Sequence, residues 1–226
     1  MPVVTISPSS ATSLREIGLR GPCYVIPMAV DEAALESVSA NPRPHDVVVI
    51  ARLTPSKRIE HCIRAAQLLV RRGWAGKLHI LGDGKAQYVK SLRTLGRRLL
   101  GEQVFFHGKV SDERRRALLT QVSLLWATSA REGWGLVVTE AARRGTPAVV
   151  YDVPGLRDAV RDGITGFVVP PTPQDLAEAT LEIFTGRYRQ LAANALTSSR
   201  EYSWDRTTDA FEAALRQTID QWKLRN

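Results

Sequence analysis

Short apolar runs alternate with stretches of helical spacing along most of the chain. Val47-Val48-Val49-Ile50-Ala51 is a continuous apolar run, the pattern of a strand buried on both faces. Thr54-Pro55 follows it, a natural cap and first-turn pair for a helix. Ile59, Ile63, Ala66 and Val70 then recur at helical spacing, with Glu60, Arg64, Gln67 and Arg71 on the other side, and Gly73 ends the helix. Further strands are expected at 78–81, 104–106, 124–127, 148–150 and 167–169. Helices are expected at 86–100, 112–121, 135–144 (closed by Gly145 and Pro147), near 155–161, and at 173–185, 187–200 and 205–222. Six strands separated by helices predict an α/β fold, a parallel Rossmann-like sheet with helices on both faces. Ligands of such sheets bind beyond the carboxyl ends of the strands.

The first 45 residues break this rhythm. Val3–Ile6 reads as a strand, Ser9–Ile17 as a short helix, Cys23–Ile26 as a second strand, and Asn41-Pro42-Arg43-Pro44 as a linker. Apolar residues make up 44% of the 226 and charged residues 24%, which excludes a disordered chain. No apolar run approaches the ~20 residues of a membrane span, and the first 30 residues lack a signal-peptide pattern. Cys23 and Cys62 cannot form a disulfide framework. Cys62 falls on the apolar stripe of its helix and reads as a buried free thiol. A reducing, cytoplasmic setting fits.

The net charge of +8 favours an anionic partner. The arginine clusters at 71–72, 97–98, 114–116 and 143–144 read as solvated helix faces. No aromatic residues interleave with them, so a nucleic-acid platform is not expected. The charge leaves room for peripheral membrane contact, but no apolar anchor accompanies it.

The densest chemistry lies in Ser129-Ala130-Arg131-Glu132-Gly133-Trp134-Gly135-Leu136-Val137-Val138-Thr139-Glu140. It follows a strand and enters a helix. Gly133 and Gly135 permit close backbone approach, and the helix start suits a phosphate. Glu132 and Glu140 would repel phosphate, so each should face a neutral part of a ligand, with hydroxyls as partners. A phosphate flanked by two sets of hydroxyls describes a nucleotide sugar. The spacing alone is also met by a loop acid and an exposed helix residue. Arg52 and Lys57 follow the first strand of the main series and suit anion capture, or plain solvation. Leu81-Gly82-Asp83-Gly84 is a tight turn. No Asp-x-Asp pair, Walker loop, G-x-G-x-x-G fingerprint or nucleophile elbow occurs, and the four histidines lack metal spacing. His79 reads as a core or sheet-face residue.

Taken in order, these segments resemble the C-terminal, donor-binding half of the GT-B glycosyltransferases of family four, from about Val3 to Trp204. Ala51-Arg52-Leu53 with Lys57 looks like the family's Gly-Arg-Leu…Lys segment, and Gly82-Asp83-Gly84 like its Gly-Asp-Gly turn. Val104–Val110 looks like the strand and loop flanking the nucleobase, and Glu132–Glu140 has the E-x7-E spacing. Thr146–Val150, Pro154–Asp158 and Asp162-Gly163-x-x-Gly166 also follow in family order. The resemblance implies retaining transfer of a hexosyl group from a nucleotide-diphospho-sugar to an acceptor hydroxyl, with no cofactor. Arg52 and Lys57 would hold the diphosphate in place of a metal. Glu132 would bind the sugar hydroxyls near the reacting carbon, and Glu140 the ribose. Gly82, Val110, Gly133, Trp134, Gly135 and Leu136 would complete the donor site, with Trp134 placing an aromatic beside the sugar. It further implies that residues 1–45 are the tail of an N-terminal acceptor domain, 46–204 the donor domain, and 205–226 a helix packing back on the missing half. Val25–Asp31 would be the family's Ile-Pro-Asn-Gly-Val-Asp crossing, with Met-Ala replacing Asn-Gly. The acceptor, a saccharide or lipid-linked molecule, would then bind through that half. The alternatives are a non-catalytic nucleotide-binding subunit that needs a partner chain, and a nucleotide-sugar epimerase of the same fold.

Overall fold

The computed structural model describes residues 2–30 and 45–224. The expected linker at 41–44 and Asp31 lie outside the described residues. The main body is a six-stranded, wholly parallel sheet built from β3 (Val47–Ile50), β4 (Leu78–Leu81), β5 (Val104–Gly108), β6 (Leu124–Ala127), β7 (Ala148–Tyr151) and β8 (Gly166–Val169). Their spatial order is β5-β4-β3-β6-β7-β8. The chain begins at β3, runs outward to β5, then returns to β6 on the other side. The order therefore reverses between β3 and β6, where such sheets open a crevice. In register, Val47 lies opposite both Leu78 and Leu124.

Every residue of β6 and β7 is buried, which explains why these strands read as unbroken apolar runs rather than as alternation. Around them pack α2 (Ile59–Val70), α3 (Ala86–Leu100), α4 (Asp112–Gln121), α5 (Leu136–Ala142), α6 (Pro173–Glu182) and α7 (Tyr188–Ser199). Most of the α2 stripe lands as its spacing predicts, with Ile59, Cys62, Ile63 and Ala66 buried, but Leu69 rather than Val70 closes it, Val70 being only half-buried. Burial pushes the Cys62 thiol up to about 12, and its Sγ lies 3.2 Å from Thr128 Oγ1.

Two local expectations need correction. The helix after β3 does not start at Thr54-Pro55. A 3-10 turn spans Pro55–Lys57, Thr54 makes no capping bond, and α2 starts at Ile59. Arg58 joins the two in the left-handed region (φ 49°), and among the described residues it is the one non-glycine with positive φ, a conformation that costs an ordinary residue about 1–2 kcal/mol. The helix near 155–161 is a single 3-10 turn, Arg157–Ala159. The 173–185 and 187–200 helices are separate as expected, with the chain kinked at Gly186 (φ 167°) inside the π-turn Ile183–Arg187.

The N-terminal segment forms its own small βαβ unit: β1 (Val3–Thr5), α1 (Pro8–Glu16) and β2 (Cys23–Val25), with β1 and β2 parallel. Ser7 caps α1 by accepting from Ser10 N at 3.1 Å. The unit docks on the main body. Ser9 N donates to Asp158 Oδ2 at 3.2 Å, and Val30 N to Tyr202 O at 3.3 Å. The last helix, α8 (Trp204–Lys223), is tied to the segment after β2 by Thr207 Oγ1 donating to Pro27 O at 3.0 Å. Ala214 is its one buried residue, whereas Phe211, Leu215, Ile219 and Trp222 are exposed at helical spacing. No helix among the described residues is long and apolar enough to cross a membrane.

Candidate functional site

The crevice between β3 and β6 holds a cavity of about 700 Å3. Its walls are the residues leaving the two strands, Arg52 and Lys57 from β3 and Thr128, Ser129 and Glu132 from β6, together with Leu136 at the start of α5 and Arg115 from α4.

The two strand-exit loops are stitched together through their backbones. Ala130 N donates to Ser56 O at 2.7 Å, and Thr128 Oγ1 donates to Lys57 O at 2.8 Å. This brings together two residues that lie 75 apart: the Lys57 ammonium pairs directly with Glu132 Oε1. Ser129 Oγ donates to the same oxygen at 2.7 Å. The loop 154–156 holds the Glu132 backbone from behind. Glu132 N donates to Pro154 O at 3.2 Å, and a Cβ on Gly155 (φ 84°) would lie 2.2 Å from Glu132 O. Only glycine permits that approach. Gly135 precedes α5 in the left-handed region, and Leu136 opens the helix 40% exposed on the cavity wall, where amides have no acceptor within the helix.

Arg52, Lys57, Glu132 and Leu136 thus meet in one cavity. The other candidates are placed differently. The Trp134 side chain is 4% exposed, donates Nε1–H to Thr139 Oγ1 at 3.0 Å and meets Tyr202 edge-on. It is a core residue, so the expected aromatic beside a sugar is not there. Gly133 is exposed, and a Cβ there would come to 3.0 Å from Ile6 Cδ1, so it lies against the segment that joins β1 to α1. Gly82 (φ 125°) lies against the β3 exit, where a Cβ would stand 1.8 Å from Ala51 O. Its glycine is explained by backbone packing. Val110 is half-buried against the core. None of Gly82, Val110, Gly133, Trp134 or Gly135 lines the cavity.

Glu140 is also not on the cavity wall. It lines a small adjoining hollow of about 40 Å3 with Arg115, Arg116, Arg143 and Arg144. Arg115 Nη1 lies 3.0 Å from Glu140 Oε2, and Arg115 Nη2 lies 3.1 Å from Asp112 Oδ1. Burial pushes the Glu140 carboxyl above its ordinary value, with Arg115 pulling the other way. The solvated reading holds for the arginines at 71–72 and 97–98, which are exposed, and is corrected at Arg115 and Arg143. Arg115 is half-buried, and Arg143 is 6% exposed and donates from Nη2 to Tyr202 O at 2.8 Å. Sequence spacing could not place Arg115, because its partner lies on another helix. Ser129 stands three residues before Glu132, a signal available in the sequence.

Beyond Glu132, on the side of the βαβ unit, lies a second, shallower groove of about 350 Å3 lined by Ser9, Ser13, Leu14, Arg131, Glu132 and Pro154. Glu132 therefore borders two cavities. Away from both, His79 Nδ1 lies 3.0 Å from His107 Nε2, and His79 Nε2 lies 3.4 Å from Asp46 Oδ2. This is a half-buried sheet-face network, as its strand position suggested. Among the described residues no group of three or more His, Cys, Asp or Glu side chains is placed to hold a metal.

The chain resembles known proteins in both fold and sequence. Solved glycosyltransferases of the GT-B fold share its architecture. Sucrose-phosphate synthase from Thermosynechococcus elongatus superposes with a TM-score of 0.81 at 22% identity, covering 97% of this chain and 59% of that one. Anabaena HepE, solved in complex with UDP and glucose, gives 0.77 at 23%, covering 96% and 62%. The alpha-D-kanosaminyltransferase of Streptomyces kanamyceticus is 31% identical over 175 residues, covering 76% of this chain and 45% of that protein. The D-inositol 3-phosphate glycosyltransferase of Rhodococcus erythropolis is 31% identical over 198 residues, covering 82% and 44%. The chain spans less than half the length of these curated relatives. Residues 31–198 match the model of the group 1 glycosyl transferases, and the chain belongs to that family.

Proposed function

We propose that the crevice between β3 and β6 binds a nucleotide-diphospho-sugar and that the chain is the donor-binding part of a retaining hexosyltransferase. The observation that carries this reading is the convergence of Arg52, Lys57, Ser129, Glu132 and Leu136 on one cavity at the reversal point of a parallel sheet. Arg52 and Lys57 take the diphosphate. Their positive charge stabilises the leaving group as the sugar–phosphate bond breaks, the work a divalent metal does elsewhere. On binding, Lys57 exchanges Glu132 for phosphate. Glu132, still fixed by Ser129 and the 154–155 loop, turns its carboxylate to the sugar hydroxyls. Glu140 takes the ribose diol. The leaving diphosphate helps remove the acceptor's proton. The names of the relatives, an aminosugar transferase and an inositol-phosphate glycosyltransferase, favour transfer to a polyol or saccharide hydroxyl.

The groove beside Arg131 lies on the far side of Glu132, where an acceptor would approach. Phe211, Leu215, Ile219 and Trp222 of α8, with Val4 and Val25 on the small sheet, form apolar surface suited to a second body that completes the acceptor side. On this reading residues 46–204 are the donor domain. The 226-residue chain alone should transfer sugar negligibly, since near-attack positioning of both substrates supplies much of the rate. A partner chain in that role would make this chain a nucleotide-binding subunit.

The test is a saturation-transfer screen of UDP, GDP and ADP sugars, followed by calorimetry with and without EDTA. Binding that survives chelation supports the reading. No binding of any nucleotide, or binding abolished by EDTA, contradicts it.

A further inference from the structure

We propose that Arg115 is a positioning residue that controls access to Glu140 and so limits affinity for the nucleoside half of the ligand; this rests on the nucleotide reading above. Among the described residues Arg115 is the one that lines both the main cavity and the hollow holding Glu140. It is the partition between them. A ribose diol entering the cavity meets the guanidinium before it meets the carboxylate.

The partition is weakly latched. At 3.0 Å the two groups form an ion pair, but they are not aligned for a hydrogen bond: Glu140 Oε2 and Arg115 Nε are both buried with no hydrogen-bond partner. A half-buried pair that leaves polar atoms unsatisfied returns little of its desolvation cost. Arg115 also has a second carboxylate within reach, Asp112 at 3.1 Å on its own helix, which can keep the guanidinium when it leaves Glu140. Arg116, Arg143 and Arg144 border the same hollow, so Glu140 does not lose all positive neighbours when Arg115 swings away. The Lys57–Glu132 pair differs in both respects, because Ser129 fills an acceptor site on Glu132 and the loops beneath are stitched by backbone bonds. A group that occupies a binding residue in the empty site lowers apparent affinity by the fraction of molecules in which it is latched.

The experiment compares wild type with Arg115→Met and Arg115→Gln, titrating each with a nucleoside and its diphosphate (uridine and UDP, guanosine and GDP, or adenosine and ADP). Both variants remove the charge, and Gln keeps a polar side chain should Met fail to fold. The expected result is that nucleoside and diphosphate both bind at least about threefold more tightly to the variant. The gain should vanish when Glu140→Gln is added, and Arg115→Lys should restore wild-type affinity. A purely structural role would give equal effects with and without Glu140. Unchanged or weaker binding by the charge-removed variants, while wild type binds UDP or its counterparts, overturns the gate and leaves the nucleotide reading standing. No binding of any nucleoside or nucleotide by any form overturns both.

Discussion

Glu132 and Glu140 belong to one nine-residue stretch, yet the fold treats them in opposite ways. Glu132 sits in a loop and is held on every side: by Lys57 and Ser129 at its carboxylate, by Pro154 at its amide, and by the close approach of Gly155 behind it. Glu140 sits on a helix, off the cavity wall, with one charged neighbour at 3.0 Å and a buried oxygen that no donor satisfies. One end of the site is preorganised and the other is latched. Preorganisation belongs where charge changes during a reaction. A latch is tolerable where the ligand is only gripped.

The largest contrast should come from removing the cation at each end. Lys57→Met takes away a diphosphate contact worth about 1.5–3 kcal/mol for a charged hydrogen bond, so calorimetry should show roughly tenfold or greater weakening toward a nucleoside diphosphate. The same change at Arg115 strengthens binding. If both substitutions weaken it alike, the two ends do not differ in the way described.

Thr128→Val tests the rigidity of the Glu132 end. It deletes the bond to Lys57 O and should cost about 1 kcal/mol of stability, seen as a lower denaturation midpoint with a smaller loss of nucleotide affinity. Unchanged stability would mean that the bond does not hold the loop.

Arg58→Gly relieves the left-handed strain beside Lys57 and should raise stability by about 1 kcal/mol, less what is lost where Arg58 lies 5.9 Å over the Tyr151 ring. A destabilised variant would show that the stacking outweighs the strain.

A pH series on the other glutamate gives the smallest effect. Burial raises the Glu140 carboxyl above the ordinary glutamate value of 4.5. The stability it contributes is present below that value and is lost as pH rises through the raised one. Thermal unfolding should therefore show Glu140→Gln gaining on wild type as pH increases above about 4.5. A constant difference across that range would mean that Glu140 is not desolvated.

The sheet was legible in the sequence because buried parallel strands write themselves as uninterrupted apolar runs: 47–51, 124–127 and 148–150 fall within one residue of β3, β6 and β7. The α2 start was not, since Thr54-Pro55 carries an ordinary capping signal, while the left-handed turn at Arg58 sits where Thr128 and Ala130 of another loop bond to Lys57 O and Ser56 O. In the site, Arg52, Lys57 and Glu132 could be singled out as polar residues just past strand ends. Trp134 was misread because its position beside two glycines says nothing about which way the indole turns; the Thr139 hydroxyl and the Tyr202 ring decide that. Arg115 was hidden for the same reason: a triple-arginine run looks solvated until Glu140 arrives from the next helix.

The central claim, that one glutamate serves the sugar and the other the nucleoside, is tested most directly by a four-way titration. Glu132→Gln and Glu140→Gln are each measured against a nucleoside diphosphate and against the same diphosphate carrying its sugar. The account predicts that Glu132→Gln weakens only the sugar-bearing ligand, by roughly tenfold, whereas Glu140→Gln weakens both by the same factor. Equal losses on both ligands from Glu132→Gln, or a loss confined to the sugar-bearing ligand from Glu140→Gln, would contradict it.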